Sequence, residues 1–397
     1  MKNNNQNKML IVNNNLKTGG VQKALVNLLN EIKNEYSITL FLFSKNGEYL
    51  KDVPKEVNVI EATSILKILG LSLYEAKSIS LRYYFAKIYY GILTKIFNNK
   101  LTINILIKKE PKLAGYNYAI SYLHSSPIKN LYGGTNEFLI NRVIADKKIA
   151  FVHCDFRNYG GNINYAELIY SKFNTVAFCS QGCLDSFDNK TLSLKNKSIV
   201  VYNCQNYAQI MSYSKVNVVN YDKEYYNIVL ISRLSEEKGI EKAIEAIELC
   251  NREYGVKLRI HIIGDGKQAD DYRQLVIKLR IIDFVKFYGN QENPYSYMVN
   301  ANLLLSTSYH EAAPMIFGEA YALGLPILTT KTTSTDELIT KKNAGWVCSS
   351  SINDIVINLY NISQGIWSLN NSKLNITELN NNLALEQFRQ CLVNTRS

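Results

Sequence analysis

From Tyr226 onward the chain repeats one unit: a short apolar, largely β-branched run followed by a stretch of helical length with one apolar face. The runs are YNIVLIS, KLRIHIIG, FVKFYG, NLLLSTS, PILTTK and GWVCSS, and the helix-like stretches begin near Ile240, Lys267, Asn293, Pro314, Asp336 and Ile352. Strands that are apolar throughout are buried on both faces, and a helix between successive strands returns the chain in the same direction. This half is therefore expected to be an α/β domain with a doubly wound parallel sheet. In such sheets ligands bind at the carboxyl ends of the strands.

The first half is a looser version of the same alternation. Strands are expected at Met9–Asn13, Ile38–Phe43, Val57–Ile60, Tyr118–Tyr122, Lys148–His153, Thr175–Ser180 and Ile199–Tyr202, with a long helical region from about 64 to 110. Gly19-Gly20 follows the first strand and precedes a helix expected at Val21–Glu35. Residues 206–225 show no clear period and few apolar anchors, which marks a linker. At 397 residues the chain is too long for one ordinary core. The expected division is a domain at 1–205, the linker, a second domain at 226–380, and a terminal helix at 381–397 packing back on the first domain.

With 47% hydrophobic and 20% charged residues and 6 prolines, the composition is that of a packed globular protein. The leading MKNNNQNK has no apolar core of signal-peptide length, so no export signal is expected, and the longest apolar runs are too short to span a bilayer. Seven cysteines at irregular spacing, without C-x-x-C and beside four histidines, predict reduced, inert thiols in a cytoplasmic protein rather than disulfides or structural zinc. A formal charge of +11 calls for an anionic partner. No nucleic-acid-binding module accompanies it, so nucleic acid is not expected. Between 77 and 112 lysines and arginines interleave with Tyr83, Tyr84, Phe85, Tyr89, Tyr90 and Phe97. That segment fits a face for an anionic membrane surface, or equally a solvated helix whose tyrosines pack inward.

The stretch YHEAAPMIFGEAYALGLP, residues 309–326, places two carboxylates in an otherwise apolar segment. Glu311 falls in the loop after a strand, Pro314 suits the first turn of a helix, and Gly324 and Pro326 end it, so Glu319 lies within the helix. A helix N-terminus at that edge of a parallel sheet suits a phosphate, with Gly318 keeping the turn slim, while each carboxylate can grip paired hydroxyls. Alternatively, Glu319 is a satisfied core carboxylate and Glu311 an ordinary loop charge. Arg233 and Lys238, after the first strand of the same domain, belong on the same edge and can neutralise a diphosphate. The alternative for Lys238 is a surface pair with Glu236, Glu237 or Glu241.

The segments SRLSEEKG, IIGDG, FYGNQENPYSYM, LLLSTSYHEAAPMIFGEAYALGLPIL and DELI occur in the order seen in retaining glycosyltransferases of family 4, and the chain resembles those enzymes over about residues 226–350. The resemblance implies the GT-B fold, two Rossmann-like doubly wound domains facing across a cleft. It also implies that Glu319 binds ribose hydroxyls, Arg233 and Lys238 the diphosphate, and Glu311 the transferred sugar. Backbone groups of Met315, Ile316, Phe317 and Gly318 would cradle sugar and phosphate, and the loop Gly289, Asn290, Gln291 would hold the base. Ala312-Ala313 departs from the glycine and bulky residue of many members, leaving the sugar's identity open. In the first half, LKTGGVQKALVNLL and KKIAFVHCDF resemble the family's glycine loop and its strand ending in histidine. Gly19 and Gly20 would approach acceptor or phosphate, His153 would stand near the reacting sugar, and Asp155 would orient the acceptor. A structural role is the alternative for His153.

No D-x-D occurs, so a carboxylate clamp for a divalent ion is missing and no metal or other cofactor is expected. The expected reaction is a metal-independent, retaining transfer from a nucleotide diphosphate sugar, taken as uridine-linked, to an acceptor hydroxyl. The acceptor is expected to be a lipid-linked saccharide of surface-polysaccharide assembly, met at the inner face of the plasma membrane. A sugar phosphorylase, an epimerase of the same fold and a catalytically silent partner are the alternatives.

Overall fold

A computed structural model describes residues 6–156, 162–188, 191–369 and 379–393. The chain divides into two compact units, Met1–Cys204 with Asn381–Ser397, and Gln205–Asn380.

The first unit carries strands β1 (Lys8–Asn13), β2 (Ser37–Leu42), β3 (Asn58–Glu61), β4 (Leu113–Ser121), β5 (Val143–Val152), β6 (Thr175–Phe178) and β7 (Ser198–Val200). They form one sheet in the order β3-β2-β1-β4-β5-β6-β7. All its neighbours run parallel. Met9 to Val12 are fully buried, the mark of a central strand covered on both faces. The helix Asn382–Val393 belongs to this unit, where Phe388, Cys391 and Leu392 join the core of Phe151 and Val201. Residues 394–397 of the expected terminal helix lie outside the described residues.

The second unit carries β8 (Tyr226–Ile231), β9 (Leu258–Ile263), β10 (Val285–Gly289), β11 (Leu303–Ser306), β12 (Ile327–Thr330) and β13 (Gly345–Cys348), in the order β10-β9-β8-β11-β12-β13. These strands too are parallel throughout. Alternate side chains serve two cores: Ile228, Leu230 and Ile260 pack with the helix Ile240–Tyr254 on one face, and Val229, Leu304 and Phe317 pack on the other. Positions 240, 243, 244, 247 and 250 of that helix are buried, the spacing of one helical face.

In each sheet the order reverses direction at one place, between β1 and β4 and between β8 and β11. The connections on either side of such a point leave in opposite directions and open a crevice at the carboxyl ends, where this class of sheet binds ligands.

The expected linker is corrected. Tyr207–Tyr213 is a helix capped by the Asn206 side chain, with Ile210 buried beside Phe317, all within the second unit. Under two turns long, it is too short for a periodicity to register. The helical region from 64 to 110 is four pieces: a 3-10 turn at Ile65–Gly70 and helices Leu73–Ile79, Leu81–Ile96 and Asn99–Ile107. Side chains of Ser72, Ser80 and Asn98 cap the three helices, which is why the chain breaks there. The segment near Asp336 is a single π-helical turn, Asp336–Thr340.

Candidate active site

Arg233 and Lys238 leave the end of β8, and Glu311 leaves the end of β11, so the three flank the reversal point of the second sheet. The two loops are fastened to each other. Thr307 Oγ1 donates to Gly239 O at 2.8 Å and the Tyr309 N–H donates to Glu237 O at 2.9 Å. Gly239 is left-handed, φ 58°, and a Cβ there would stand 2.4 Å from Thr307 O. Only glycine meets both demands. The β8 loop is supported from its other side by the loop after β9, where a Cβ on Gly264 would lie 1.9 Å from Ser232 O and one on Gly266 2.2 Å from Leu234 O.

Lys238 Nζ meets Glu311 Oε1 at 2.6 Å, with side chains 18% and 14% exposed. Ser308 Oγ donates to the same carboxylate oxygen at 2.8 Å, and Thr333 Oγ1 donates to Glu311 O, also at 2.8 Å. Glu311 is thus fixed at both its side chain and its backbone. Lys238 pairs across the crevice rather than with Glu236, Glu237 or Glu241. Arg233 stands out in solvent, its side chain 73% exposed and held only loosely by Glu237 at 3.6 Å. Burial raises the Glu237 carboxyl, but hydrogen bonding by Ser235 together with Arg233 and Lys238 outweighs it and holds the group below the usual carboxylate range. The site therefore offers one exposed guanidinium and one ammonium anchored to a carboxylate.

Glu319 lies in the helix Met315–Ala322 and is 2% exposed. Gly318 lies one residue before it in the same helix. Its missing side chain makes room for Gln205, whose amide nitrogen a Cβ would meet at 2.3 Å and which donates to Met315 O at 3.2 Å. Part of the backbone expected to cradle a ligand is thus covered by a glutamine from the start of the unit. Ile316 is half-buried and Phe317 is core. Gly289 ends β10 with φ 66° at the same edge of the sheet, and Asn290 and Gln291 beyond it are exposed, Gln291 Nε2 donating to Tyr288 O at 2.8 Å.

The remaining candidates belong to the first unit. Gly19 precedes the helix Gly20–Ile32, and Lys23 N donates to Gly19 O at 3.0 Å. His153 follows β5, its ring 4.7 Å from that of Tyr122. Among the described residues its Nε2 is buried without a hydrogen-bond partner, and burial, with His124 adding a smaller effect, pushes its pKa down to about 3. At neutral pH it is an uncharged imidazole that can accept or donate one hydrogen bond. Asp155 is 7% exposed and accepts from Ser186 Oγ at 3.4 Å, so it is engaged inside the unit rather than standing open for an acceptor.

Sequence reasoning missed Ser308, Thr333 and Gln205 at this site. All are polar residues without a motif, and only the loop geometry identifies them. Among the described residues no group of three or more His, Cys, Asp or Glu side chains could hold a metal ion. A concavity of about 320 Å³ lined by Lys112, Arg142 and Lys148 lies by the starts of β4 and β5, the amino edge of the first sheet and away from these residues.

Residues 214–359 match the family model described as glycosyl transferases group 1. An uncharacterized glycosyltransferase, MJ1059, of Methanocaldococcus jannaschii is 27% identical over 186 residues, 42% of this chain and 45% of that protein. The lipopolysaccharide glucosyltransferase WaaG of Escherichia coli strain K12 is 28% identical over 137 residues, 34% of this chain and 36% of the relative. Among solved structures, Anabaena HepE in complex with UDP superposes with a TM-score of 0.65 at 15% identity, over 96% of this chain and 98% of that one. The matched stretch spans less than half the length of these curated relatives. The two parallel α/β units have the fold of GT-B glycosyltransferases. The stretch that matches the family model lies within the second of them.

Proposed function

We propose that the chain is a retaining, metal-independent glycosyltransferase that moves a sugar from a nucleotide diphosphate sugar, uridine-linked, to an acceptor hydroxyl. The observation that carries this reading is the placement of Arg233, Lys238 and Glu311 around the reversal point of the second sheet, with Lys238 Nζ 2.6 Å from Glu311 Oε1. Two cations beside a carboxylate suit a ligand whose diphosphate adjoins a polyhydroxylated ring. The UDP bound in the HepE structure favours uridine.

In the proposed reaction the bond from the anomeric carbon to the diphosphate oxygen breaks. Negative charge grows on that oxygen, and Lys238 and Arg233 stabilise it. The acceptor oxygen bonds to the anomeric carbon on the same face, and its proton passes to the departing phosphate. Glu311 holds Lys238 in place and accepts hydrogen bonds from the sugar, and Glu319 takes the ribose hydroxyls. The proposed acceptor is a lipid-linked saccharide of surface-polysaccharide assembly, with the protein peripheral on the cytoplasmic face of the membrane. The similarity to WaaG, a lipopolysaccharide glucosyltransferase, supports that direction.

A panel of nucleotide sugars, screened by thermal shift and then by release of nucleotide diphosphate with and without chelator, tests the proposal. One donor should raise Tm and be cleaved equally in both conditions. Silence across the panel contradicts the donor reading, loss of turnover with chelator contradicts metal independence, and turnover only with added free phosphate points to a phosphorylase.

A further inference from the structure

We propose that the helix Leu81–Ile96 docks the first unit on an anionic lipid bilayer, lying in the plane of the interface. Of its residues only Thr94 is buried. The helix Gly20–Ile32 of the same unit is different, since most of its apolar residues are buried in the core. Five large apolar side chains of Leu81–Ile96 point to solvent: Leu81 63%, Phe85 62%, Tyr89 61%, Ile92 55% and Ile96 64% exposed. At about 100° per residue they fall within a sector roughly 80° wide, a continuous stripe along the helix. Tyr74 and Ile79 in the preceding helix are exposed as well.

Charge selects the occupant. Exposed Arg82 and Lys95 fall at about 100° and −40° on the same projection, one along each side of the stripe. From Ala76 to Lys109 the sequence contains Lys77, Arg82, Lys87, Lys95, Lys100, Lys108 and Lys109 and no acidic residue. Lys87 is turned inward, donating to Ile68 O at 2.7 Å. Apolar and aromatic side chains on one narrow face with cations at both margins match the boundary between acyl chains and anionic headgroups. A second copy of the same face would set these uncompensated cations against themselves, which disfavours a symmetric dimer. Among the described residues no helix is long and apolar enough to cross a membrane, so the contact is one of lying on the surface.

The platform beneath the stripe is tied to the carboxyl edge of the first sheet. Asn14 and Asn15, just past β1, donate to Leu69 O at 3.2 Å and Gly70 O at 2.7 Å, and Lys17 pairs with Glu75. Docking therefore brings the edge that carries Gly19 and Gly20 near the bilayer, where a lipid-borne acceptor would be met.

The inference uses residues of the first unit alone and stands or falls separately from the donor chemistry. Co-sedimentation of the full chain with phosphatidylcholine vesicles, with and without phosphatidylglycerol, is the test. Wild type should pellet with the anionic vesicles and at least tenfold less with the neutral ones, and release as salt rises. Phe85→Gln with Ile92→Gln, and separately Arg82→Glu with Lys95→Glu, should each lower binding at least tenfold while leaving circular dichroism and UDP affinity unchanged. Equal, negligible binding of wild type to both vesicles overturns the proposal, as does either double variant binding like wild type. Concentration-dependent dimerisation that the glutamine variant abolishes, without vesicle binding, also overturns it by assigning the stripe to a second copy.

Discussion

Cutting Lys238 back to alanine should cost stability in a predictable range even with no ligand present. The ammonium sits 2.6 Å from Glu311 Oε1, and the side chains are 18% and 14% exposed. That places the pair between an exposed one, worth under about 1 kcal/mol, and a fully buried one, whose breaking costs about 3–5 kcal/mol. Glu311 would keep its hydrogen bond from Ser308 and an edge to water, so a loss of about 1.5–3 kcal/mol is expected. In a cycle of Lys238→Ala, Glu311→Ala and the double variant, the coupling should be about 1–2 kcal/mol. Both tryptophans, Trp346 and Trp367, belong to the second unit, so urea unfolding followed by their fluorescence reports on the unit in question. Additivity within about 0.3 kcal/mol would refute the ion pair and the arrangement built on it. In turnover the same substitution should lower kcat/KM by roughly 30- to 150-fold, the equivalent of about 2–3 kcal/mol of lost charge stabilisation.

Gly239→Ala forces a side chain into a left-handed conformation and against Thr307 O, so the second unit should lose more than about 1–2 kcal/mol and donor turnover should fall; a wild-type urea midpoint would disprove the close approach of the two loops. Glu319→Ala should mainly weaken donor binding, and an unchanged donor affinity would reject its ribose role. The pH dependence of the first unit follows from His153. Its pKa is about 3 when folded against an ordinary value of 6.5, so the unfolded chain takes up a proton that the folded one refuses as pH falls from 6.5 towards 3. Its contribution is complete above pH 6.5 and is lost across that window, by at most about 1.4 kcal/mol per pH unit. His153→Asn should flatten the fall in urea midpoint between pH 7 and 5 followed by circular dichroism, and identical slopes would remove His153 as a source.

The second sheet was legible because its strands are apolar on both faces and its helices long, so period alone separated them. Glu311, Arg233 and Lys238 could be assigned to one edge because the rule for parallel sheets fixes which loops meet there. The pairing of Lys238 with Glu311 was not legible, since it depends on how two loops distant in sequence pack around Gly239. The place of Gln205 beside Gly318 was hidden for the same reason. Short capped helices such as Tyr207–Tyr213 escaped because a cap and one buried residue leave no periodic signal.

The central claim is that the crevice flanked by Arg233, Lys238 and Glu311 binds the diphosphate of a nucleotide sugar, and calorimetric titration of UDP into wild type and Lys238→Ala tests it most directly. Saturable binding at one site on wild type, weakened about 30-fold or more by the substitution, is the predicted result. Equal affinity in the two proteins, or no binding by wild type at millimolar UDP, would contradict it.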